Sequence, residues 1–255
     1  VSISPFTFAA CILIKLFKKK PIIYLRSDGY GEYKVIFGFF GPMIYHLMFS
    51  ILSKIAPLIS CRKYILKNKI GEIVAPSQIS AQWLKNYKEA QTNNIKLLYV
   101  GRIKKEKGIY SLLEIIKDSN INFSLSIVGA EKNSSNLTTQ DNVYIHEVEN
   151  NEQTLIKFYD DHNIFVLPSY TEGHPMTLLE SLSRLRPVII FKDIEHVIGD
   201  KKGIFVAERN SDSFFKTVNH IKENYSSIQQ EMKKNKLPTK EEFLKKISEL
   251  IFKLN

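Results

Sequence analysis

The chain has 255 residues, 44% hydrophobic and 24% charged, a composition that is ordinary for a globular protein and excludes a disordered or fibrous one. Its formal net charge of +10 is unevenly distributed: residues 1–90 hold 13 Lys and Arg against 4 Asp and Glu, whereas residues 91–255 hold 23 against 22. Cys11 and Cys61 lack metal-ligand spacing, which argues against a zinc site and indicates a reducing compartment.

The first ninety residues contain the elements of about half of a Rossmann-like lobe. The predicted order is a helix at 6–17, a strand at 21–25, a helical stretch at 35–59, a short strand at 72–75 and a helix start at 77–84. No signal peptide is predicted, because Lys15 interrupts the first helix and no cleavage site follows it. The chain opens with Val1 rather than Met, so we expect it to be part of a longer protein.

The segment 35–53 has no Asp, Glu, Lys or Arg and approaches the length of a membrane span. Gly38, the Gly41-Pro42 break and His46 argue against a span, so a buried helix is favoured over an interfacial helix, and both over a span. The preceding Lys18–Lys20 and the basic first ninety residues favour an anionic partner. A membrane surface fits better than nucleic acid, since no nucleic-acid-binding signature is present. A cytoplasmic protein, peripheral at the inner face of the membrane, is therefore predicted.

Strands alternate with helical patterns from residue 91 onward, which predicts a parallel sheet covered on both faces. The candidate strands are 95–100, 123–128, 142–146, 163–167, 187–191 and 203–206. A linker is predicted at 236–239 and a last amphipathic helix at 240–254.

A basic turn, Gly101–Gly108, follows the first of these strands and precedes an amphipathic helix. The turn places Arg102 and Lys107 at the carboxyl end of a parallel strand, where open α/β sheets bind ligands. Arg grips a phosphate bidentately and Lys acts as a point charge, so the turn is a candidate phosphate site. The alternative is a solvated basic surface.

A second candidate site, Glu172–Glu180, follows the apolar run 164–167. Pro175 suits the first position of a helix, which would make His174 the N-cap, and Gly173 lets the backbone approach a ligand. The amides that follow, with the helix dipole, favour a phosphate or sugar oxygen. Glu180 could accept hydrogen bonds from the paired hydroxyls of a ribose. The alternative is that both acids are solvated at a helix end.

Together these motifs resemble the donor lobe of retaining nucleotide-sugar glycosyltransferases of the GT-B fold, in particular glycosyltransferase family 4. The resemblance covers residues 95–225. The matching stretches are the Gly-Arg-Ile-x-x-x-Lys-Gly turn, 125–129, 164–169, 172–183 and 186–190. It implies an α/β protein with two Rossmann-like lobes: an incomplete acceptor-side lobe at 1–90, a doubly wound donor lobe at 91–235, and a helix at 236–255 crossing back to the first lobe.

The resemblance also implies roles for individual residues. Arg102 and Lys107 would neutralise the donor diphosphate as the nucleotide leaves, and Glu172 would contact the donor sugar near the reacting carbon. Glu180 would bind the ribose. The remaining donor-binding residues would be Gly101, Gly173, His174, Pro175, Met176 and Thr177. No cofactor or divalent metal is expected, and the chain has no Asp-x-Asp motif.

On the acceptor side the family often places a His after the strand that corresponds to 22–25, where this chain has Arg26, Ser27, Asp28 and Gly29. Arg26 or Asp28 could face the sugar; the alternative is a turn Asp before Gly. The resemblance thus predicts a retaining transferase that moves a sugar from a nucleotide-diphosphate sugar to a glycan or lipid-linked acceptor, in cell-envelope polysaccharide assembly. The alternatives are an epimerase or phosphorylase of the same architecture, and a non-catalytic nucleotide-sugar-binding module or inactive truncated transferase.

Overall fold

A computed structural model describes residues 3–90, 92–117, 119, 121–131 and 140–254 of the chain. The described helices are α1 Pro5–Leu16, α2 Gly29–Phe37, α3 Gly41–Ile55, α4 Ile109–Ile116, α5 Glu152–Asp161, α6 Met176–Ser183, α7 Ser211–Glu223, α8 Tyr225–Met232 and α9 Lys240–Leu254. The described strands are β1 Ile23–Leu25, β2 Leu58–Ser60, β3 Glu72–Ile73, β4 Ile95–Val100, β5 Phe123–Ala130, β6 Val143–Glu147, β7 Ile164–Leu167, β8 Val188–Phe191 and β9 Ile204–Ala207.

Contacts along the chain group these elements into two units. The first contains the described residues up to Gln78, the short segment Glu172–His174 and the described residues from Pro238 onward. The second contains the described residues of Ile79–Thr171 and Pro175–Leu237.

The first unit has a parallel sheet in the order β1-β2-β3. One face is covered by α1 and α3, whose buried side chains include Phe49 and Leu52. The other face carries α9, because Leu250 packs with Ile59 and Val74. This unit therefore has its own two-sided core.

Residues 29–55 form a helical hairpin. Asp28 caps α2 by accepting a hydrogen bond from the Tyr30 amide, and Gly38 reverses the chain at φ +60°. A Cβ on Gly41 would lie 1.9 Å from the Tyr33 carbonyl oxygen, so only glycine permits so close a crossing. The predicted stretch 35–59 was therefore too long as one helix: the chain folds back at Gly38, α3 ends at Ile55, and Leu58–Ser60 is a strand.

The same residues, Gly29–Ile55, are long and apolar enough to cross a membrane by length and composition, with a mean hydropathy of 1.8. However, the Tyr33 and Tyr45 rings lie 5.3 Å apart. In a straight helix, residues twelve positions apart are separated by about 18 Å. The segment is therefore two helices packed side by side. One face of α3 is buried, but only 28% of the apolar window is buried, so the favoured prediction of a buried helix holds for that face alone.

The second unit has a six-stranded, wholly parallel sheet in the order β6-β5-β4-β7-β8-β9. Helices α4 and α7 cover one face, with Leu112 and Phe214 in its core, and α6 covers the other, with Leu178 and Leu182. All six predicted strands are confirmed within two residues of their predicted bounds. The sheet is doubly wound, as the alternation of strands and helices predicted.

The predicted helix start at 77–84 is wrong, because this segment forms turns. The carbonyl oxygens of Trp83, Lys85 and Asn86 accept hydrogen bonds from the buried Arg184 guanidinium at 2.7–2.9 Å. These bonds hold residues 83–86 in an irregular path at the end of α6, where a side chain and not a helical amide satisfies the carbonyl oxygens.

Candidate functional site

The centre of the second sheet is a topological switch point. From β4 the chain winds outward to β5 and β6, and it then returns to β7 on the other side of β4 and continues to β9. Open α/β sheets leave a crevice beyond the carboxyl ends of two such strands, where ligands bind. The two predicted motifs leave these two strands: the basic turn follows β4 and the Glu172–Glu180 segment follows β7.

The chain segments that follow β4 and β7 are in direct contact. The Tyr170 amide donates a hydrogen bond to the Glu106 carbonyl oxygen at 3.0 Å. Gly108 has φ +70°, and a Cβ there would lie 1.9 Å from the Pro168 carbonyl oxygen. The glycine at the end of the basic turn is thus required both by its backbone conformation and by the strand extension that packs on it.

The beginning of the basic turn also depends on a close approach of two backbone segments. A Cβ on Gly129, at the end of β5, would lie 2.2 Å from the Gly101 carbonyl oxygen. The Tyr99 hydroxyl donates to the Arg102 carbonyl oxygen at 2.8 Å. The backbone of the turn is thereby fixed on the sheet edge, with the Arg102 side chain exposed and that of Lys107 half-buried.

Glu180 lies on α6 and is only 5% exposed, so it is not the solvated helix-end acid of the alternative interpretation. Its Oε2 accepts a hydrogen bond from the Tyr159 hydroxyl at 2.9 Å. Burial raises the pKa of the Glu180 carboxyl to about 7, and the Tyr159 hydrogen bond opposes that rise. Burial and the nearby carboxylate also hold the pKa of Tyr159 well above its usual value. The site thus contains a carboxyl group that titrates near neutral pH.

The start of α6 differs from the prediction. Pro175 is the N-cap, with extended backbone at φ −71° and ψ 116°, and the helix begins at Met176. His174 is not the cap, because its Nε2 donates to the Pro76 carbonyl oxygen at 2.9 Å. The amides of Met176 and Thr177 lie in the first turn, where N–H groups have no partner within the helix, and so they remain candidates for a ligand oxygen.

Glu172–His174 belong to the first unit, where they meet the predicted acceptor-side turn. A Cβ on Gly173 would lie 2.8 Å from the Ser27 Cα and 2.9 Å from the Arg26 carbonyl oxygen. Arg26 is exposed, while Glu172 and Asp28 are half-buried. Asp28 caps α2, which agrees with the turn interpretation of that residue. The structure thus brings two sequence-predicted groups together in this unit.

Two residues near these motifs were missed from the sequence. Tyr159, the partner of Glu180, comes from α5, and no local pattern relates the two residues. Arg209 follows β9; it donates to the Pro168 and Ser169 carbonyl oxygens and to Asp193, and its guanidinium lies 4.0 Å from the centre of the Tyr170 ring. Arg209 could have been found by the rule that singled out Arg102, since it also follows a predicted parallel strand.

The family model described as "Glycosyl transferases group 1" matches residues 82–237, more than half of the chain. The chain belongs to this family. The match contains β4–β9 and both predicted motifs, Gly101–Gly108 and Glu172–Glu180. The α/β fold with parallel sheets is that of GT-B glycosyltransferases, as the sequence predicted.

Among curated relatives of this family, the capsular polysaccharide biosynthesis glycosyltransferase CapM of Staphylococcus aureus is 29% identical over 133 residues, which are 47% of this chain and 34% of CapM. The putative teichuronic acid biosynthesis glycosyltransferase TuaC of Bacillus subtilis is 36% identical over 92 residues, which are 36% of this chain and 23% of TuaC. The matched region spans about a third or less of the length of these relatives.

Solved structures agree on the fold. Sucrose-phosphate synthase from Thermosynechococcus elongatus superposes with a TM-score of 0.76 at 16% identity, covering 97% of this chain and 71% of that one. HepE of Anabaena, in complex with UDP-glucose, superposes with a TM-score of 0.74 at 12% identity, covering 98% and 77%.

Proposed function

We propose that the protein is a retaining glycosyltransferase of family 4 that moves a sugar from a nucleoside-diphosphate sugar to a glycan or lipid-linked acceptor without a metal ion or other cofactor. One observation carries the proposal: the basic turn after β4 contacts the strand extension after β7 at the switch point of the second sheet. Parallel sheets of this kind bind nucleotides at that place.

The proposed roles follow from the chemistry of each group. Arg102 and Lys107 neutralise the diphosphate, whose negative charge grows as the bond to the sugar breaks, and the first amides of α6 bind phosphate or sugar oxygens. Glu180 accepts hydrogen bonds from the ribose hydroxyls. Tyr159 occupies one carboxylate oxygen and fixes the orientation of the group. By the family resemblance, Glu172 is assigned to the donor sugar near the reacting carbon, and Gly101 to the phosphates.

The donor and acceptor classes are inferred from relatives. HepE was solved in complex with UDP and with UDP-glucose, which supports a nucleotide sugar as the donor here. CapM and TuaC are named for capsular polysaccharide and teichuronic acid biosynthesis, which supports a cell-envelope glycan as the acceptor. Arg26 would face the acceptor, since it is exposed and its turn contacts Gly173, whereas Asp28 caps α2.

A second candidate is a module that binds a nucleotide sugar and transfers nothing. It is favoured by the sequence Arg26-Ser27-Asp28 at the place where the resembled family often has a His. Turnover separates the two candidates. A transferase forms glycosylated product from donor and acceptor, with or without a chelator, whereas the module gives binding alone.

The donor site is tested by calorimetry with UDP-glucose and other nucleotide sugars. We expect Lys107→Ala or Arg102→Ala to weaken binding of the preferred nucleotide sugar by about ten- to a hundredfold, because a hydrogen bond to a charged group contributes about 1.5–3 kcal/mol. Binding of the parent nucleoside, which has no phosphate, should be unchanged. Lys104→Ala is the matched control, since Lys104 is an exposed lysine of the same turn. Equal losses for nucleoside and nucleotide sugar would contradict the phosphate role.

A further inference from the structure

The end of the α2–α3 hairpin carries a group of exposed apolar side chains. Six of its large apolar side chains are more than half exposed, and we call them the hairpin tip: Val35, Ile36, Phe37, Phe39, Phe40 and Met43. Phe39 is 90% exposed. Soluble surfaces rarely carry so many adjacent apolar side chains without a binding partner.

We propose that the hairpin tip inserts into the interfacial region of an anionic lipid bilayer. This proposal is separate from the donor site, since every residue of the tip belongs to the first unit. It identifies a docking surface and commits to one partner, a membrane whose surface lipids carry negative charge.

The packing of the two helices fixes the position of the hairpin tip. Helices α2 and α3 are locked together by the Tyr33–Tyr45 ring contact and by the close crossing at Gly41. The inward face of α3 already buries Tyr45, Met48 and Phe49 in the core of the unit. The exposed side chains are therefore additional to that core. Most of them lie in one continuous exposed stretch, residues 34–40.

The charge of the surrounding sequence favours an anionic partner. Lys34 adjoins the tip on α2 and is exposed, and the sequence between Tyr33 and Gly71 has six Lys and Arg and no Asp or Glu. Basic residues beside an apolar segment are attracted to anionic lipids. A second copy of the same surface would bring like charges together, which disfavours self-association through the tip.

Helix α1 adds a second segment of the same character to this unit. Phe8 and Cys11 pack on the apolar core shared with α3. Phe6, Leu16 and Phe17 are more than 70% exposed. The basic residues Lys15 and Lys18–Lys20 are also exposed. Helix α1 and the residues that follow it thus combine exposed aromatic side chains with clustered lysines, as peripheral membrane proteins do.

The test is flotation of the whole chain with vesicles of phosphatidylcholine alone and of phosphatidylcholine mixed with phosphatidylglycerol, at low and at high salt. We expect binding to the anionic vesicles only, weakened by salt. The double variant Phe39→Ser/Phe40→Ser should lower the partition coefficient at least tenfold. Phe252→Ser is the matched control, because Phe252 on α9 is 83% exposed and lies outside the hairpin; it should bind as the unchanged chain does.

A second measurement reports how deeply the hairpin tip inserts into the bilayer. Phe39→Trp fluorescence should be quenched by lipids brominated near the headgroup, whereas Trp83 is buried and should not respond. The proposal is overturned if the unchanged chain does not float with anionic vesicles, if it binds neutral vesicles equally, or if the double variant binds as before. It is also overturned if the double substitution only converts a dimer to a monomer, since the tip would then contact a second copy. Flotation needs no nucleotide, so its failure is distinguishable from failure of the donor site.

Discussion

The Glu180 carboxyl combines deep burial with a predicted role in binding ribose. Its pKa of about 7, against an ordinary 4.5, means that the folded protein holds this proton more tightly than the unfolded chain does. The resulting stabilisation is complete below about pH 4.5 and is lost as the pH rises through 7, roughly 3 kcal/mol in all. Above neutral pH the ionised group is therefore costly to the folded protein unless a ligand donates hydrogen bonds to it.

Ribose hydroxyls are donors, so they favour the ionised form of Glu180. We therefore expect the affinity for UDP-glucose to rise between about pH 6 and pH 8, with protons released on binding near pH 7. UDP-glucose suits this measurement better than UDP because its diphosphate does not titrate in that range. Calorimetry in buffers of different ionisation enthalpy measures the released protons.

Two variants test whether Glu180 causes this pH dependence. Glu180→Gln should flatten it, whereas Tyr159→Phe should shift it to higher pH, because the Tyr159 hydrogen bond lowers the carboxyl pKa. An unchanged slope in Glu180→Gln would assign the pH dependence to another group.

Individual roles could be proposed from the sequence only where a local pattern marks them. Glu180 and Lys107 stand at fixed distances from glycines and apolar runs, so a family resemblance could assign them. Tyr159 and the His174–Pro76 hydrogen bond depend on residues brought together by folding, 21 and 98 positions apart in the chain. Local sequence patterns carry no information about such pairs.

At the scale of elements, Arg184 joins the end of α6 to the irregular segment 83–88. Its guanidinium is 1% exposed; it donates to three carbonyl oxygens of that segment and forms a two-point ion pair with Asp160. Each of these acceptors would lose its partner if the guanidinium were removed. The buried guanidinium therefore links the end of α6 to this segment through hydrogen bonds.

We expect Arg184→Met to lower the free energy of unfolding by about 3–5 kcal/mol. The substitution leaves several buried carbonyl oxygens without their donor and leaves the Asp160 carboxylate with only the 3.8 Å ion pair to Arg186. Urea unfolding measures the loss. Lys88→Ala is the control: Lys88 pairs with Asp161 at the surface, so its removal should cost about 1 kcal/mol or less. If Arg184→Met lowers the free energy of unfolding no more than the control does, the Arg184 hydrogen bonds contribute little to stability.

The strands were predicted well where the sequence has continuous apolar runs. Continuous apolar runs located all six strands of the second sheet, since strands covered on both faces need apolar residues on both. The errors lie where a distant group decides the local structure. Arg184 binds the carbonyl oxygens at the end of the segment predicted as a helix start at 77–84, and the crossing of Gly41 over Tyr33 divides the stretch 35–59.

At the scale of the whole molecule, the two units carry different charge and different proposed partners. Residues 3–78 of the first unit hold 11 Lys and Arg against 3 Asp and Glu. The sequence alone shows this asymmetry, because charged residues can be counted without a structure. The exposure of the hairpin tip could not be predicted from the sequence, since the same apolar stretch also suits a buried helix.

These assignments predict that two ligands act on two different parts of the chain, and hydrogen exchange measured by mass spectrometry can test this. UDP-glucose should slow exchange in β4, the turn at 101–108 and α6. At a hundred times its dissociation constant, a ligand stabilises the structure that it binds by about 2.7 kcal/mol, or roughly a hundredfold in exchange rate. Anionic vesicles should instead slow exchange at residues 34–44, because insertion removes those amides from water. The control is Lys107→Ala, which at the same UDP-glucose concentration should reduce the first effect to about two- to elevenfold and keep the second. Protection of the hairpin by UDP-glucose, or of α6 by vesicles, would contradict this separation of roles.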